Sequence, residues 1–224
     1  MKNSNPTTVA FSLLLTLLVT ACSSQVAQEE NYGGFLEDYS RLTEIESTDG
    51  VEMLAWRKPG LDISPYHSIV VNPVVIGPKA TIGDRIEPAE LAKIQTSLHH
   101  KMVTQISKVM PVVEQPGPGV LVYSLALAGA DTVNPDLSWY QYTPITYAAT
   151  MAAEASGSRG DAVELWVEAK VADGASGEIL ATAVRRGHSK ETVEDEATVD
   201  ADHVDSLLQE WADSSRVSLQ DLKQ

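Results

Sequence analysis

The fold is decided by the stretch Val163-Glu164-Leu165-Trp166-Val167-Glu168-Ala169-Lys170-Val171. Its residues alternate with a period of two, which is typical of a β-strand that turns one face to the core and one to solvent. Turn-forming residues follow at Asp173-Gly174-Ala175-Ser176-Gly177, and Glu178 to Arg186 then returns as a second strand. The pattern predicts a half-buried β-hairpin in the second half of the chain.

Two further strands are predicted upstream of this hairpin. Tyr66 to Ile76 is rich in β-branched residues and reads as a buried strand. Pro73 lies inside it and has no N–H to donate, so the strand belongs at a sheet edge or carries a bulge. Val120 to Ala128 is apolar at nearly every position, which predicts a strand buried on both faces.

Two amphipathic helices are predicted from apolar residues that recur every three or four positions. The first opens at Pro88, where a missing N–H costs nothing, and ends before Pro111. Its apolar stripe is Leu91, Ile94, Leu98, Met102 and Ile106. The second begins at about Asp202, and its apolar residues are Val204, Leu207, Leu208, Trp211, Leu219 and Leu222. We expect Leu98 and Leu207 to point inward from two helices that cover the same sheet.

The element order β-α-β-β-β-α predicts an α+β (α/β-like) fold with a mixed sheet of about four to five strands and two helices packed on it. One domain accounts for residues 33–224. Residues 131–160 have little regular pattern and form an irregular insertion, of a length that is more often functional than idle in a compact domain.

The N-terminus has the features of a bacterial lipoprotein signal. Lys2 precedes an apolar run from Val9 to Val19, which would span about 16 Å as a helix, against the roughly 30 Å of a bilayer core. Val19-Thr20-Ala21-Cys22 follows and resembles the lipobox, in which the cysteine thiol is acylated before cleavage. Residues 1–21 are therefore predicted to be a signal peptide, Cys22 the lipidated residue, and residues 22–32 a flexible tether.

The predicted anchor also indicates a location and excludes some chemistry. Ser23 follows the cysteine, which by resemblance to Gram-negative sorting rules favours the periplasmic face of the outer membrane. Cys22 is the sole cysteine, so its lipidation leaves no disulfide or cysteine metal site. A formal net charge of −15 repels nucleic acid, so the expected partners are the membrane, through Cys22, and an envelope protein or glycan.

No motif in the sequence indicates catalysis, a metal or a cofactor. His99 and His100 are adjacent and point about 100° apart on a helix, so they do not chelate one ion together. The acidic residues between Glu191 and Asp205 lack the glycine and ligand spacing of an EF-hand and are better explained as capping a helix N-terminus. Gly157-Ser158-Arg159-Gly160 does not match a nucleophile elbow. We therefore expect a protein that is not an enzyme.

Two groups of aromatic residues are candidates for partner binding. The insertion carries Trp139, Tyr140, Tyr142 and Tyr147, and the segment after the tether carries Phe35 and Tyr39. Large rigid rings are over-represented where proteins bind partners. The alternatives are that the insertion aromatics fold back over the sheet near Val122 and Val167, and that the Phe35 segment is a clip packed on the domain.

A family resemblance starts at Gly34-Phe35-Leu36-Glu37-Asp38-Tyr39-Ser40-Arg41-Leu42. This string, shortly after a lipobox cysteine, resembles the opening of an uncharacterised proteobacterial lipoprotein family, domain of unknown function 3313. Asn72-Pro73 and the turn from Asp173 to Glu178 are similar to the same family. The resemblance implies a location and a fold but no catalytic residues. The expected function is a non-enzymatic binding or assembly module at the outer membrane; the alternative is an envelope hydrolase with an unrecognised active site.

Replacing Cys22 with serine tests the anchor. The Cys22→Ser chain has no thiol to acylate, so lipoprotein-type processing stops and no acylated mature form accumulates. Metabolic labelling with a radioactive fatty acid, followed by capture of the protein, measures this. Labelling of the variant as strong as that of the wild-type chain contradicts the prediction.

Overall fold

The computed structural model describes residues 27, 29–47, 50–133, 160–194 and 197–223. The strands are β1 (Thr43–Glu46), β2 (Glu52–Arg57), β3 (Ser68–Val71), β4 (Val75–Ile82), β5 (Val120–Val133), β6 (Asp161–Asp173) and β7 (Ile179–Val193). The helices are α1 (Pro88–Ile106) and α2 (Asp205–Leu222), with short 3-10 turns at Glu29–Asn31 and Ala201–Val204. The α+β class with two helices is therefore confirmed.

Within the described residues the strands form one mixed sheet of seven, in the order β1-β2-β7-β6-β5-β3, with β4 also beside β5. The centre is antiparallel, because β5 pairs with β6 and β6 with β7. β3 and β4 both run parallel to β5. The predicted hairpin lies at the centre of the sheet, and its second strand continues to Val193, well beyond Arg186.

The prediction of four to five strands was wrong, and one cause is the hairpin β1–β2. All four residues of β1 are exposed, so the strand has no alternation of buried and exposed side chains from which to predict it. Its pairing comes from β2, which in turn pairs with β7. The hairpin thus depends on an edge supplied by the rest of the fold.

The other cause is Pro73, which divides the strand predicted over Tyr66 to Ile76. β3 ends before the proline and β4 begins after it, and both pair with the same side of β5. Between them, the backbone N–H of Asn72 donates to Tyr123 O at 2.9 Å and the Asn72 side chain donates to Ser124 Oγ at 2.9 Å. The edge position that Pro73 predicted is what the structure shows, since a residue without an N–H interrupts pairing least there.

Both helices pack on one face of the sheet, called here the helix face. Leu98 is 0% exposed and Leu207 is 5% exposed, so both point inward as predicted. The main core contains the predicted stripe of α1 together with residues of α2, β5, β6 and β7. None of the helices in the described ranges is both long enough and apolar enough to cross a membrane.

The opposite side of the sheet, called here the outer face, is covered as well. Glu164, Trp166 and Glu168 alternate with the core residues of β6, yet they are only 2%, 8% and 0% exposed. The prediction of a half-buried strand was therefore wrong. The reason is that residues near the N-terminus pack over this face in a second apolar cluster that includes Leu36, Trp166 and Val184.

The first three residues of the predicted irregular insertion, Asp131 to Val133, belong to a strand. β5 continues through Asp131 to Val133 and pairs there with Ala162 to Glu164 of β6, so the first residues of the insertion are strand. The predicted candidates Trp139, Tyr140, Tyr142 and Tyr147 lie outside the described residues, as does Cys22. Their roles in binding and lipidation stay predictions.

Aspartate at Leu98 or Leu207 tests the helix layer. Either change buries a carboxylate without a partner, which costs several kcal/mol out of a total stability of about 5–15 kcal/mol. We expect the variants to unfold or be degraded, as measured by thermal melting and by accumulation in cells. Thr104→Asp, at an exposed position of α1, is the control and should melt close to the wild-type temperature. A cooperative, wild-type-like melt of Leu98→Asp contradicts the packing.

Candidate functional site

Residues 33–42, called here the strap, run across the outer face of the sheet. At one end, Lys79 of β4 donates its backbone N–H to Gly33 O at 2.8 Å. At the other end, the strap leads directly into β1. Leu36 of the strap is 8% exposed and belongs to the same apolar cluster as Trp166 and Val184. The strap therefore joins the two sides of the sheet.

The carboxylate of Glu168 holds the strap in place. Its Oε1 accepts the backbone N–H of Gly33 at 2.6 Å and the hydroxyl of Tyr39 at 2.8 Å. Its Oε2 accepts the backbone N–H of Phe35 at 2.8 Å. Burying an unpaired carboxylate is very costly, whereas hydrogen bonds to an ionised acceptor are among the strongest in proteins. Glu168 thus requires the strap, and the strap is fastened by Glu168.

The close approach of the strap to the sheet requires glycine. A Cβ on Gly33 would lie 2.7 Å from the Cα of Ala128 in β5, closer than real atoms pack. Gly34 has φ +75°, a left-handed conformation that side chains disfavour. The pair Gly33-Gly34 lets the backbone come near enough to reach the Glu168 carboxylate.

Aromatic and ionic contacts complete the strap. Tyr39 stacks on Tyr32 with ring centroids 4.2 Å apart. Burial, followed by its hydrogen bond to Glu168, raises the pKa of Tyr39 to about 12, so the hydroxyl keeps its proton at neutral pH. The ammonium of Lys170 lies 4.2 Å from the Phe35 ring centroid. The structure thus packs Phe35 and Tyr39 against the domain, and a partner role for them stays a prediction.

Asp38 and Ser40 form the tight turn that follows. The backbone N–H and the hydroxyl of Ser40 donate to Asp38 Oδ1 at 2.9 and 2.7 Å. These hydrogen bonds, the one from the side chain first, hold the pKa of the Asp38 carboxyl below its usual value. The Asp-Tyr-Ser string from which the family resemblance was drawn therefore forms a turn, and its Tyr39 hydroxyl donates to Glu168.

A second buried glutamate, Glu164, lies on the same strand, four residues before Glu168. Glu164 Oε1 accepts the Nε of Arg186 and lies 2.6 Å from Nε2 of His188, with both partners on β7. The Glu164 side chain is 3% exposed and the His188 side chain 16%. The carboxylate is thereby engaged within the sheet, where it joins two neighbouring strands.

Acidic residues considered for metal binding have local partners. No group of three metal-ligating side chains occurs in the described ranges. Asp200 and His203 form a capping box at the 3-10 turn before α2. Ala201 donates its N–H to Glu90 Oε2 at 3.0 Å. This agrees with the expectation that the acidic run caps a helix start.

A large apolar groove lies on the helix face, between α2 and the hairpin β1–β2. Its cavity volume is about 590 Å³. The floor is formed by strand residues such as Leu125, Val167 and Ala183, and the helices contribute Met102, Leu219 and Leu222. Ile45 of β1 lies at its margin and is 42% exposed. The hairpin that the sequence did not predict thus builds one side of this groove.

Polar side chains also line the groove, among them Tyr123, Arg185 and Ser215. Trp211 is 2% exposed, and its indole N–H has no acceptor in the part of the chain that the structure describes. The Arg185 guanidinium lies 5.9 Å from the Trp211 ring centroid. Tyr123 lies in the groove with its hydroxyl 3.4 Å from Ser215 Oγ, and burial raises the pKa of Tyr123. A few polar groups in an apolar cavity are typical of a small-molecule site.

Sequence reasoning missed both the Glu168 clamp and the groove. Glu164 and Glu168 occupy the polar positions of an alternating strand, so the pattern places them in solvent. The donors to Glu168, on Gly33, Phe35 and Tyr39, lie 135, 133 and 129 positions earlier in the chain. A signal was present in the string Gly33 to Tyr39, whose apolar residues and glycines favour packing on the domain.

The family model described as "Protein of unknown function (DUF3313)" matches residues 31–215, a range that takes in the strap, the whole sheet and most of α2. The chain belongs to this family. It is 28% identical over 196 residues to the uncharacterized lipoprotein YdcL of Escherichia coli K12, and the match covers 88% of each chain. The resemblance drawn from the strap is thereby confirmed.

Two solved structures are similar at low identity. The PelC dodecamer from Paraburkholderia phytofirmans is 9% identical, with a TM-score of 0.36, over 71% of this chain and 96% of that one. Protein XCC0632 from Xanthomonas campestris is 9% identical, with a TM-score of 0.33, over 73% of this chain and 86% of that one.

Glu168→Gln tests the clamp. The amide nitrogen of glutamine donates instead of accepting, so it opposes a strap N–H, and the charge that strengthens the remaining bonds is lost. We expect a loss of roughly 1–3 kcal/mol in the free energy of unfolding and faster hydrogen exchange at residues 33–40. Glu44→Gln, at an exposed position of β1, is the control. Unchanged exchange across the strap in Glu168→Gln contradicts the assignment.

Proposed function

We propose that this protein is a lipid-anchored, non-enzymatic binding module of the bacterial envelope, held at the periplasmic face of the outer membrane through Cys22. Two observations support the anchor: the lipobox at Val19 to Cys22, and a relative of nearly the same length that is named a lipoprotein. Ser23 supports the outer membrane as the location. The groove on the helix face supports a role in binding, and it is the single observation that carries this proposal.

The dimensions and lining of the groove suit a ligand. Its volume of about 590 Å³ lies within the range of roughly 300–1,000 Å³ that is usual for small-molecule pockets. Apolar side chains from six strands and both helices converge on it. Ile45 lines the groove and is 42% exposed, which leaves apolar surface for a ligand to cover.

The strap and the groove lie on opposite faces of the sheet. The strap follows directly on the predicted tether and runs over the outer face, whereas the groove opens on the helix face. Of the strap residues, Arg41 near its end lines the groove.

The rival proposal, an envelope hydrolase, would rest on the pair Glu164 and His188. That carboxylate is 3% exposed, already engaged by Arg186 and His188, and on the face of the sheet that the groove does not share. A general base must reach a proton of the substrate. The arrangement is better explained as a buried ion pair that joins β6 to β7.

A photo-reactive amino acid in the groove tests the binding role. Ser218 of α2 lines the groove and is exposed, so p-benzoylphenylalanine fits there without disturbing the core. After irradiation of intact cells, we expect a discrete adduct from Ser218 and none from the same residue at Thr104, which is exposed on α1 outside the groove. Equal behaviour of the two positions contradicts a binding role for the groove.

A further inference from the structure

We propose that the edge of the sheet at β4 rests on the membrane surface to which Cys22 anchors the domain, with Val75 and Ile76 in contact with lipid; this rests on the lipid anchor proposed above. The partner of this edge is thus a phospholipid surface. Three observations support it: the short chain between Cys22 and the domain, the place where that chain joins the sheet, and the exposed apolar residues found there.

The chain between Cys22 and the packed part of the domain is short. Ala27 is 4% exposed and lies in the apolar cluster on the outer face, so packing on the sheet begins within the predicted tether. Residues 23–26 alone separate Ala27 from Cys22, and this stretch reaches at most about 18 Å when fully extended. A domain of this length has a radius of gyration of about 16 Å. The surface around Ala27 is therefore kept near the bilayer, and the far side of the domain is turned away from it.

The chain joins the sheet on the outer face, beside β4. The cluster that contains Ala27 also contains Ala128 of β5, the strand next to β4. Further along, Gly33 crosses β4 itself: its carbonyl accepts the backbone N–H of Lys79, and a Cβ on Gly77 would lie 2.8 Å from Gly33 O. β4 pairs with β5 and with no other strand in the described ranges, so it forms an edge of the sheet. The anchored end of the chain thus enters the fold at this edge.

Two adjacent apolar side chains are exposed at the same edge. Val75 is 45% exposed and Ile76 is 43% exposed, and the other large apolar residue of comparable exposure in the described ranges is Ile45, on the strand at the opposite end of the sheet. Val75 pairs with Ala126 and Ile76 with Leu127, so the two side chains point to opposite faces and the edge is apolar on both. Single exposed apolar residues are common on proteins. A pair of them beside a lipid anchor is stabilised at the boundary between head groups and acyl chains, where apolar side chains lose contact with water.

The backbone of this edge disfavours a strand of another chain as the partner. An open edge strand is a template for pairing with a second strand. In β4, however, Pro78 has no N–H, and the N–H of Lys79 is already donated to Gly33 O. An added strand would lose its donors at two consecutive residues, whereas a lipid surface needs no register of hydrogen bonds.

This orientation leaves the groove accessible. β4 and β1 lie at opposite ends of the sheet with four strands between them, which at the usual strand spacing puts them about 24 Å apart. The groove lies between α2 and the hairpin β1–β2, so it opens on the side of the domain away from the membrane. Contact with lipid at β4 and binding in the groove are therefore compatible.

The test measures how close each edge of the sheet comes to lipid. The full-length acylated chain carries Ile76→Cys, labelled with bimane at its thiol; the sole native cysteine is Cys22, which acylation blocks. The protein is reconstituted into phosphatidylcholine vesicles that contain nitroxide-labelled lipid, and the vesicle-bound chain is isolated by flotation. Ile45→Cys, at a residue of the same type and nearly the same exposure, is the matched control. We expect quenching at position 76 to exceed that at position 45 by at least about twofold, because the width of the sheet separates the two edges.

A charge at the edge tests the apolar contact. Val75→Asp in the labelled Ile76→Cys chain places a carboxylate against lipid and, since Val75 is exposed, leaves the core intact. We expect quenching at position 76 to fall to the level at position 45. Thr104→Asp, at an exposed residue of α1, is the control and leaves the quenching unchanged.

The remaining outcomes separate this inference from the proposed function. Flotation with equal quenching at positions 76 and 45, or with more at position 45, leaves the anchor standing and overturns the contact at β4. Strong quenching at position 76 that Val75→Asp does not change overturns it as well. A disulfide-linked dimer of unlabelled Ile76→Cys on the vesicles, together with weak quenching of the labelled chain, assigns the edge to a second copy and overturns the lipid surface. A wild-type chain that is not acylated and does not float overturns both the anchor and this inference.

Discussion

The buried carboxylate of Glu168 is the constraint on which the arrangement of the chain depends. A charge with no exposure must be surrounded by donors, and the strand that carries it has no backbone donors to spare, since they are used in the sheet. The donors come from Gly33, Phe35 and Tyr39. This requirement brings the N-terminal part of the domain across the outer face, where it covers the side of β6 that the alternation placed in solvent.

The clamp also shapes the groove, although the two lie on opposite faces. The strap ends at Leu42, and β1 begins at Thr43. The strap therefore leads the chain to the edge of the sheet beside β7, where β2 and then β1 are added to the sheet. Without the strap, β1 would be a short exposed strand with little to hold it. The surface at which we place the ligand is in this way a consequence of a hydrogen-bonded carboxylate on the other side.

The proposed anchor, the strap and the hairpin β1–β2 follow one another along the chain. This order suits a module that is tethered to a membrane. A flexible tether lets a domain sample many orientations. The hydrogen bonds of the strap to the Glu168 carboxylate fix the start of the folded domain on the sheet. The glycines that permit the close approach and the aspartate turn that aims Tyr39 belong to the same short string. The family is recognisable from this string because its residues make the contacts that hold the strap on the sheet.

The sequence alone determined the local features. Period-two alternation predicted β6, a stripe of apolar residues predicted α1 with Leu98 inward, and Pro73 predicted an edge, because each of these features depends on neighbouring residues. Only the tertiary structure decided what covers each face. Glu168 has the same local pattern as a solvent-facing glutamate, and β1 has no pattern at all. Glu168 is buried by residues more than a hundred positions earlier, and β1 is held by β2, which pairs with the distant β7. No periodicity along the chain predicts such contacts.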